Sequence, residues 1–349
     1  MVTVGVDTHK SSHTLVAVDE NGRQLGQRTV EAVSDGHLAA LRWASRWPKR
    51  RWAIEDCRHV SRRLERDLLS AGQLVLRVPP KLMLDSRRSA RTRGKSDPID
   101  ALAVARAALR EPRLPVARLE GRSRELRLLV DHREDLVAER TRIQNRLRWH
   151  LHELDPGLFV APSTLDRYKV LDRLEETIGA HLGVLAEIAR QQLRQIRELT
   201  IEIKKLERQI SKLVVRLAPS LLALVGCGPL TAAKLIGETA GPARFHSRAA
   251  FAMHNGSAPI PASSGARQRH RLNRGGNRQL NAALYRIAIT QLRRPGCGRD
   301  YCLRCLDAGA SRPEALRSLK RRISDQVYRR LRLDEHLFDP GWRCPARSA

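Results

Sequence analysis

The sequence has few aromatic residues: Phe, Trp and Tyr together make up 4% of its 349 residues. Proteins that bind single-stranded nucleic acid by stacking its bases need such side chains, so the composition argues against that class. Acidic residues are also scarce, with 37 Asp and Glu against 65 Lys and Arg and a net charge of +28. This excess predicts a polyanionic partner, and nucleic acid fits best because phosphate neutralisation releases counterions.

Long apolar runs and a cysteine framework are missing as well. No stretch of about 18 apolar residues could span a membrane, and the N-terminal "MVTVGVD" lacks the pattern of a secretory signal. The six cysteines are scattered, so we expect a reduced, cytoplasmic protein without a membrane partner. Cys302 and Cys305, with Cys297 nearby, lack the second close pair that a structural zinc site needs.

The first segment, residues 1–115, alternates strand-like and helix-like patterns. Three β-branched runs joined by tight turns, "VTVGVD", "HTLVAVD" and "QRTVEA", are followed by alternating helices and strands. This order predicts a mixed sheet flanked by helices, which is the element order of a ribonuclease-H-like fold.

The second segment, residues 116–217, is predicted to be helical. Its first long helix ends at the turn signal Asp155-Pro156-Gly157. Its second has a seam with alternating spacings of three and four, typical of a coiled coil, formed by Ile196, Leu199, Ile203, Leu206, Ile210, Leu213 and Leu217. The seam predicts either parallel pairing of two chains or packing on the first helix of the same chain.

The third segment, residues 218–349, is predicted to be mostly helical and basic. Gly226 and Gly228 precede a helix, either as a helix-hairpin-helix turn that offers backbone N–H groups to a phosphate or as a plain linking turn. Further on, an alternating basic ribbon leads into a glycine turn and a helix start. The predicted phosphate contacts there are Arg267, Arg269, Arg271, Arg274, Gly276, Asn277 and Arg278.

Four acidic residues fall at the ends of predicted elements. Asp7 closes the first strand, Glu55 closes a later strand, and Asp97 and Asp100 open a helix. In a ribonuclease-H-like fold these positions converge, and such a cluster suits divalent metal ions that grip a scissile phosphate. Each acid also has a simpler explanation; Asp97 before Pro98, for example, fits an ordinary helix N-cap.

The sequence resembles the DEDD transposases of the insertion-sequence 110 type, a family related to Piv-type DNA invertases. The resemblance covers nearly the whole chain. It is carried by "VGVDTHK" at 4–10, "AIED" at 53–56, "KSDPIDALAVA" at 95–105, "RTRIQNRLRWHL" at 140–151, "LVGCGPLTAAKLIGETAGPARF" at 224–245, and the later "SSG" and "LNRGGNRQLNAALYRIA". One departure is Cys227, where the family more usually has a small or β-branched residue.

The resemblance implies a RuvC-like catalytic domain at 1–115, a coiled-coil region at 116–217 and a C-terminal transposase domain at 218–349. It implies that the four acids match the family's tetrad and bind Mg²⁺ or Mn²⁺. It also implies a nucleophilic serine, for which Ser264 is the best match and Ser263 the alternative. From the residues alone, either hydroxyl could simply form a turn.

The function implied by the resemblance is that of a DNA transposase, or recombinase, that cuts and rejoins DNA. Its partners would be double-stranded DNA at the element ends and target, a structured guide RNA, and further copies of the chain in a dimer or tetramer. Two alternatives stay open: a RuvC-type junction-resolving nuclease that uses water, and a non-catalytic basic nucleic-acid-binding protein.

Overall fold

The computed structural model describes residues 1–79, 82, 96–111, 114–119, 121–161, 163–262 and 270–338. The chain forms two compact units, Met1–Leu119 and Glu120–Ala349, and each is described by itself. None of the helices in these described ranges is long and apolar enough to cross a membrane. The division into three domains at 115 and 217 stays a prediction.

In its described residues, the first unit contains a five-stranded mixed sheet and three helices. The strands are β1 (Val2–Thr8), β2 (Ser12–Val18), β3 (Gln24–Glu31), β4 (Arg50–Glu55) and β5 (Val75–Val78). The helices are α1 (Ser34–Ala44), α2 (Arg58–Ser70) and α3 (Asp97–Arg110). Three strands joined by short turns, followed by alternating helices and strands, are what the hydrophobic pattern predicts.

The strand order of the sheet is β3-β2-β1-β4-β5. β1 pairs antiparallel with β2 and parallel with β4, β2 pairs antiparallel with β3, and β4 pairs parallel with β5. This order and these directions confirm the predicted ribonuclease-H-like fold. Helices α1 and α2 cover one face of the sheet, and α3 covers the other face.

Helix α3 lies unusually close to β1 because β1 carries a glycine at the crossing. A Cβ atom on Gly5 would lie 2.2 Å from the carbonyl oxygen of Ala101 and 2.6 Å from the backbone nitrogen of Ala105. Since neither backbone atom can move without moving the helix, only glycine at position 5 permits this approach. Gly5 therefore sets the distance between the sheet and the N-terminal half of α3.

Over the part of the chain that the structure describes, the second unit consists of helices and one short hairpin with their connecting loops. Its helices are α4 (Arg122–Leu154), α5 (Tyr168–Gly179), α6 (Val184–Leu217), α7 (Pro219–Leu222), α8 (Pro229–Thr239), α9 (Arg248–His254), α10 (Arg278–Arg293), α11 (Cys297–Asp307) and α12 (Arg312–Phe338). The hairpin pairs β6 (Ile260–Pro261) with β7 (His270–Arg271). The expectation of a mostly helical C-terminal part is met, and α4 is capped at Asp155 as its turn signal indicates.

The two long helices α4 and α6 pack antiparallel within one chain. Arg133 of α4 donates to Glu207 of α6 at 3.0 Å, and His150 of α4 lies 3.0 Å from Gln192 of α6. Most of the predicted seam is buried inside the unit, including Ile203. Packing within one chain therefore accounts for the seam, and self-association of chains stays a prediction.

A buried lysine connects α8 to α4. The Lys234 side chain is 3% exposed, and its Nζ lies 3.1 Å from Asp131 and 2.8 Å from Glu134. Glu238, one turn further along α8, accepts a hydrogen bond from Asn277 at 2.8 Å. This network fixes α8 between α4 and the start of α10.

Candidate metal centre and nucleic-acid interface

Two of the predicted acids lie side by side at the carboxyl ends of parallel strands. β1 and β4 are in register at Val6 and Ile54, so the next residues along the strands are Asp7 and Glu55. Because side chains alternate along a strand, Asp7 shares the face of Gly5, which contacts α3. Glu55 likewise shares the face of Ala53, which packs against α3 residues. Both acids therefore belong to the face that α3 covers.

The other two acids lie in the first turn of α3. Ser96 occupies the N-cap position without a side-chain capping hydrogen bond, so Asp97 is the first helical residue and not the N-cap that the Asp-Pro pair suggests. The backbone nitrogen of Asp100 donates to the carbonyl oxygen of Ser96 at 3.0 Å, which closes the first turn. Because the Asp97 carboxylate makes no cap, it is available to the sheet side. Asp100 is buried, whereas the Asp97 side chain is 53% exposed.

A histidine joins the first strand to the helix. Nε2 of His9 lies 3.0 Å from a carboxylate oxygen of Asp7 and 3.5 Å from one of Asp97. One ligand atom from each of these three residues falls within 4.8 Å of the others, a geometry that could hold a metal ion. Oxygen donors of this kind suit a hard divalent cation.

Burial and mutual repulsion perturb the titration of this cluster. Burial raises the pKa of Asp7, the hydrogen bond from His9 opposes the rise, and the charges of Asp100 and Asp97 add to it. The pKa of His9 is raised, chiefly by its hydrogen bond to Asp7. The acids of the helix therefore act on the acid of the strand across a short distance.

Glu55 shares a neighbour, Cys57, with Asp7 of the acidic cluster. Burial raises the pKa of the Cys57 thiol, and the charge of Glu55 together with its hydrogen bond to the thiol adds to the rise. The charge of Asp7 acts on the same thiol. Glu55 and Asp7 thus both neighbour Cys57, while Asp7 also neighbours the acids of α3.

Some of the predicted site residues lie outside the described ranges. These are the two serines, Ser263 and Ser264, and the arginines Arg267 and Arg269. Four others, Arg271, Arg274, Gly276 and Arg278, line a cleft of about 1140 Å³ in the second unit.

The remaining predicted nucleic-acid contacts have structural roles within the chain. Gly226 has φ +87°, and a Cβ there would meet the Ile287 carbonyl oxygen at 3.0 Å, so this turn needs glycine to pack on α10. Gly228 caps α8 and faces open space. Asn277 caps α10 by accepting from the Leu280 backbone nitrogen at 3.0 Å.

Sequence reasoning missed two residues that shape the acidic cluster, His9 and Gly5. His9 follows Asp7 by two positions, and that spacing places both side chains on one face of an extended chain, so a signal was present. Gly5 left no such signal, because the helix that it contacts lies about 100 residues further along the chain.

The strand order and the acids at the ends of β1, β4 and α3 define a ribonuclease-H-like domain with a candidate metal centre. A DEDD-type transposase family model matches residues 4–156, and the model of the transposase IS116/IS110/IS902 family matches residues 218–302. The chain belongs to this IS110/IS116 transposase family.

Two relatives extend over nearly the full length. An uncharacterized 44.8 kDa protein of insertion element IS116 from Streptomyces clavuligerus is 30% identical, with 97% of this chain and 96% of the relative covered. An uncharacterized 42 kDa protein of insertion element IS900 from Mycobacterium paratuberculosis is 26% identical, with 97% of each covered.

Among solved structures, Thermus thermophilus RuvC in complex with a Holliday junction substrate is similar to part of the chain. The match covers 31% of this chain and 91% of RuvC, with 15% identity and a TM-score of 0.25. The fold assignment rests on the strand order and not on this similarity.

Proposed function

We propose that this transposase excises and integrates its own insertion element by forming a transient covalent link to DNA. The observation that carries the proposal is the placement of Asp7, Glu55, Asp97 and Asp100 at one end and on one face of the sheet. A binding protein without catalytic activity has no need for four acids there, because acids repel the phosphates that it binds.

The four carboxylates would hold Mg²⁺ or Mn²⁺. The fit is supported by the oxygen donors of Asp7 and Asp97, which lie within 4.8 Å of one another. When bound, a divalent ion supplies Lewis-acid stabilisation of the charge that develops on the phosphate. The acids themselves position the ion, and His9 orients the Asp7 carboxylate by donating a hydrogen bond at 3.0 Å.

The nucleophile in this proposal is the hydroxyl of Ser264, with Ser263 as the alternative. The serine oxygen attacks phosphorus, the bond from phosphorus to one deoxyribose oxygen breaks, and the serine proton is transferred to that leaving oxygen. In the joining step a deoxyribose hydroxyl attacks the serine phosphodiester, and the serine recovers its proton. No bond energy is lost between cutting and joining, so no cofactor is consumed.

The basic side chains would hold the DNA backbone, and a structured guide RNA would supply the sequence recognition. The chain has a net charge of +28, but no described element is an obvious base-recognition motif. Recognition by base pairing explains such a combination, because the protein then contacts mainly the backbone. The working unit would be a homo-oligomer of two or four chains.

The test is a cleavage reaction with purified protein, Mg²⁺, RNA transcribed from the flanks of the gene, and labelled DNA carrying an element end. After proteolysis, mass spectrometry should find a nucleotide on Ser264, and Ser264→Ala should abolish the adduct. An adduct on Ser263 would move the nucleophile by one residue. Clean hydrolysis without an adduct would instead support a junction-resolving nuclease that uses water.

The metal assignment is tested with Asp97→Asn. Cleavage should fall by roughly a thousandfold or more, since several kcal/mol of charge stabilisation are lost, while DNA binding stays close to that of the wild type. Asp19→Asn is the matched control, because Asp19 also follows a strand but only accepts turn hydrogen bonds from Asn21 and Arg23. Unchanged cleavage by Asp97→Asn would refute the assignment of Asp97 to the metal site.

A further inference from the structure

A basic cleft in the second unit has a wall that the sequence did not reveal. One wall is the chain at 271–278, which leads into α10, and the other is α12, which contributes Arg317 and the run Lys320 to Arg322. Seven cationic side chains therefore line a volume of about 1140 Å³, and the single acid among the lining residues is Glu314.

Only two of these seven cations form ion pairs with described residues. Arg317 lies 3.9 Å from Glu314, and Arg321 pairs with Asp325 one turn further along α12. Within the described ranges, the other five have no acidic partner, namely Arg271, Arg274, Arg278, Lys320 and Arg322. Unpaired charge of one sign in a concave surface focuses the potential and attracts an anion.

Two of the unpaired cations are held in place by neutral groups. The Arg322 guanidinium lies 4.0 Å from the ring centre of Tyr301, a cation–π contact that limits its motion. The Lys320 ammonium donates to Asn281 at 2.7 Å, and burial together with the nearby Arg317 lowers the pKa of Lys320. A cation that is partly buried without a counter-ion is stabilised when an anion binds beside it.

We propose that this cleft binds the sugar-phosphate backbone of a DNA strand, with α12 as one wall and residues 271–278 as the other. The inference rests on the proposed function, and it adds the α12 side chains to the binding surface. Arginine forks bind the oxygens of phosphates and of carboxylates in pairs, so the choice of a phosphodiester chain over an acidic peptide rests on the proposed function. In sequence, the lining residues Pro259 and Arg271 flank the segment that contains Ser263 and Ser264, which favours DNA over RNA as the occupant.

The test removes one arginine from each wall in the double variant Arg278→Gln/Arg322→Gln. The control is Arg299→Gln/Arg329→Gln, which removes the same charge at two exposed arginines outside the cleft lining. Binding is measured on the full chain by fluorescence anisotropy over a range of salt concentrations. The probes are labelled duplex DNA, single-stranded DNA and RNA of the same sequence, and unlabelled polyglutamate serves as a competitor.

We expect the cleft variant to bind DNA roughly 100-fold more weakly, about tenfold for each charged contact. The slope of log K against log salt should fall by about 1.8 for duplex DNA, because each phosphate contact contributes about 0.9. The control should stay within about threefold of the wild type. All four mutated arginines are exposed, so the melting temperatures should agree; if they differ, Arg274→Gln alone replaces the double variant.

Three outcomes would overturn the cleft assignment: equal losses in the cleft and control variants, a loss confined to RNA, or competition by polyglutamate as strong as by DNA. The outcomes that would refute the proposed function are different from these. If the cleft variant loses DNA binding but wild-type protein never forms a serine adduct, the cleft stands and the recombinase mechanism does not. If wild-type protein forms the adduct and the cleft variant binds normally, only the cleft assignment is wrong.

Discussion

Replacing Gly5 with alanine should damage the acidic cluster without touching any acid. The new Cβ would lie 2.2 Å from the Ala101 carbonyl oxygen, whereas ordinary contact begins near 3.4 Å. The difference is about 1.2 Å, and the obstacle is the backbone of α3 rather than a flexible side chain. The helix must therefore retreat from β1 by about that distance or tilt away from it.

The retreat separates the acids of the helix from those of the sheet. Asp97 and Asp100 precede Ala101 directly on α3, so they move with it, while Asp7 stays on β1 two residues after Gly5. A misplacement of about 1 Å in a catalytic group can reduce the rate by roughly 100-fold. Overpacking of this kind also lowers the free energy of unfolding by about 1–3 kcal/mol.

The assay is Mg²⁺-dependent DNA cleavage by purified Gly5→Ala, combined with thermal unfolding followed by circular dichroism. Gly26→Ala in β3 is the matched control, because a Cβ on Gly26 meets its nearest neighbour at 3.5 Å, an ordinary contact. We expect a large loss of cleavage and a lower melting temperature for Gly5→Ala, and little change for Gly26→Ala.

Two results would refute this reasoning. Wild-type cleavage and melting in Gly5→Ala would show that α3 does not lie against β1 at this distance. Comparable losses in both variants would show that the sheet tolerates no alanine at a glycine position, whatever space is available. A stable Gly5→Ala protein with reduced cleavage that higher Mg²⁺ concentrations restore would support the geometric explanation most directly.

Three further predictions concern stability in urea denaturation. His13 is buried with a pKa of about 4, so between pH 6.5 and 4 the unfolded state binds more protons than the folded state. The free energy of unfolding of the wild type should therefore fall by about 3 kcal/mol as the pH drops through that window, and that of His13→Gln should not. Lys234→Met should lower the free energy of unfolding by about 3 kcal/mol, because Asp131, Glu134 and buried Glu238 lose the ammonium that they share, although Arg127 stays 3.6 Å from Glu238. Exposed Lys205→Met should change little. Gly276→Ala should destabilise the protein, since the new Cβ would lie 2.3 Å from the backbone nitrogen of Gly256. Gly275→Ala should not, because its Cβ would lie 3.7 Å from its nearest neighbour, the Asn273 side-chain oxygen.

The order of strands in the first unit could be predicted because each strand has a local signature. Hydrophobic alternation, β-branched residues and turn signals depend only on neighbours in sequence, and the topology then limits how such strands combine. The start of α3 was placed one residue too late, because Ser96 and Asp97 both suit an N-cap. The structure distinguishes the two by their backbone, which is extended at Ser96 and helical from Asp97 onward.

The partner of the α6 seam could not be predicted, since a spacing of three and four only shows that one helical face is buried. It is the same whether the covering helix belongs to the same chain or to another. The α12 wall of the cleft could not be predicted from the sequence for a similar reason. Its basic residues are evident in sequence, but which of them face α10 depends on how three helices pack together.

The case for a functional acidic cluster is strengthened by how this chain treats its other buried acids. Among the other buried acids of the described ranges, Glu65 pairs with Arg77 at 2.8 Å and Glu238 with Arg127 at 3.6 Å. Asp334 instead accepts hydrogen bonds from the backbone nitrogens of Ser220 and Leu221. Asp7 and Asp97 form ion pairs with no described lysine or arginine, and their described cationic neighbour is a half-exposed imidazole. The lack of a lysine or arginine partner lowers the stability of the fold, because burial already disfavours the charged form of Asp7. Stability alone therefore does not explain the cluster. The lack of such partners leaves the carboxylate oxygens open to a metal ion, as the proposed metal-assisted cleavage needs.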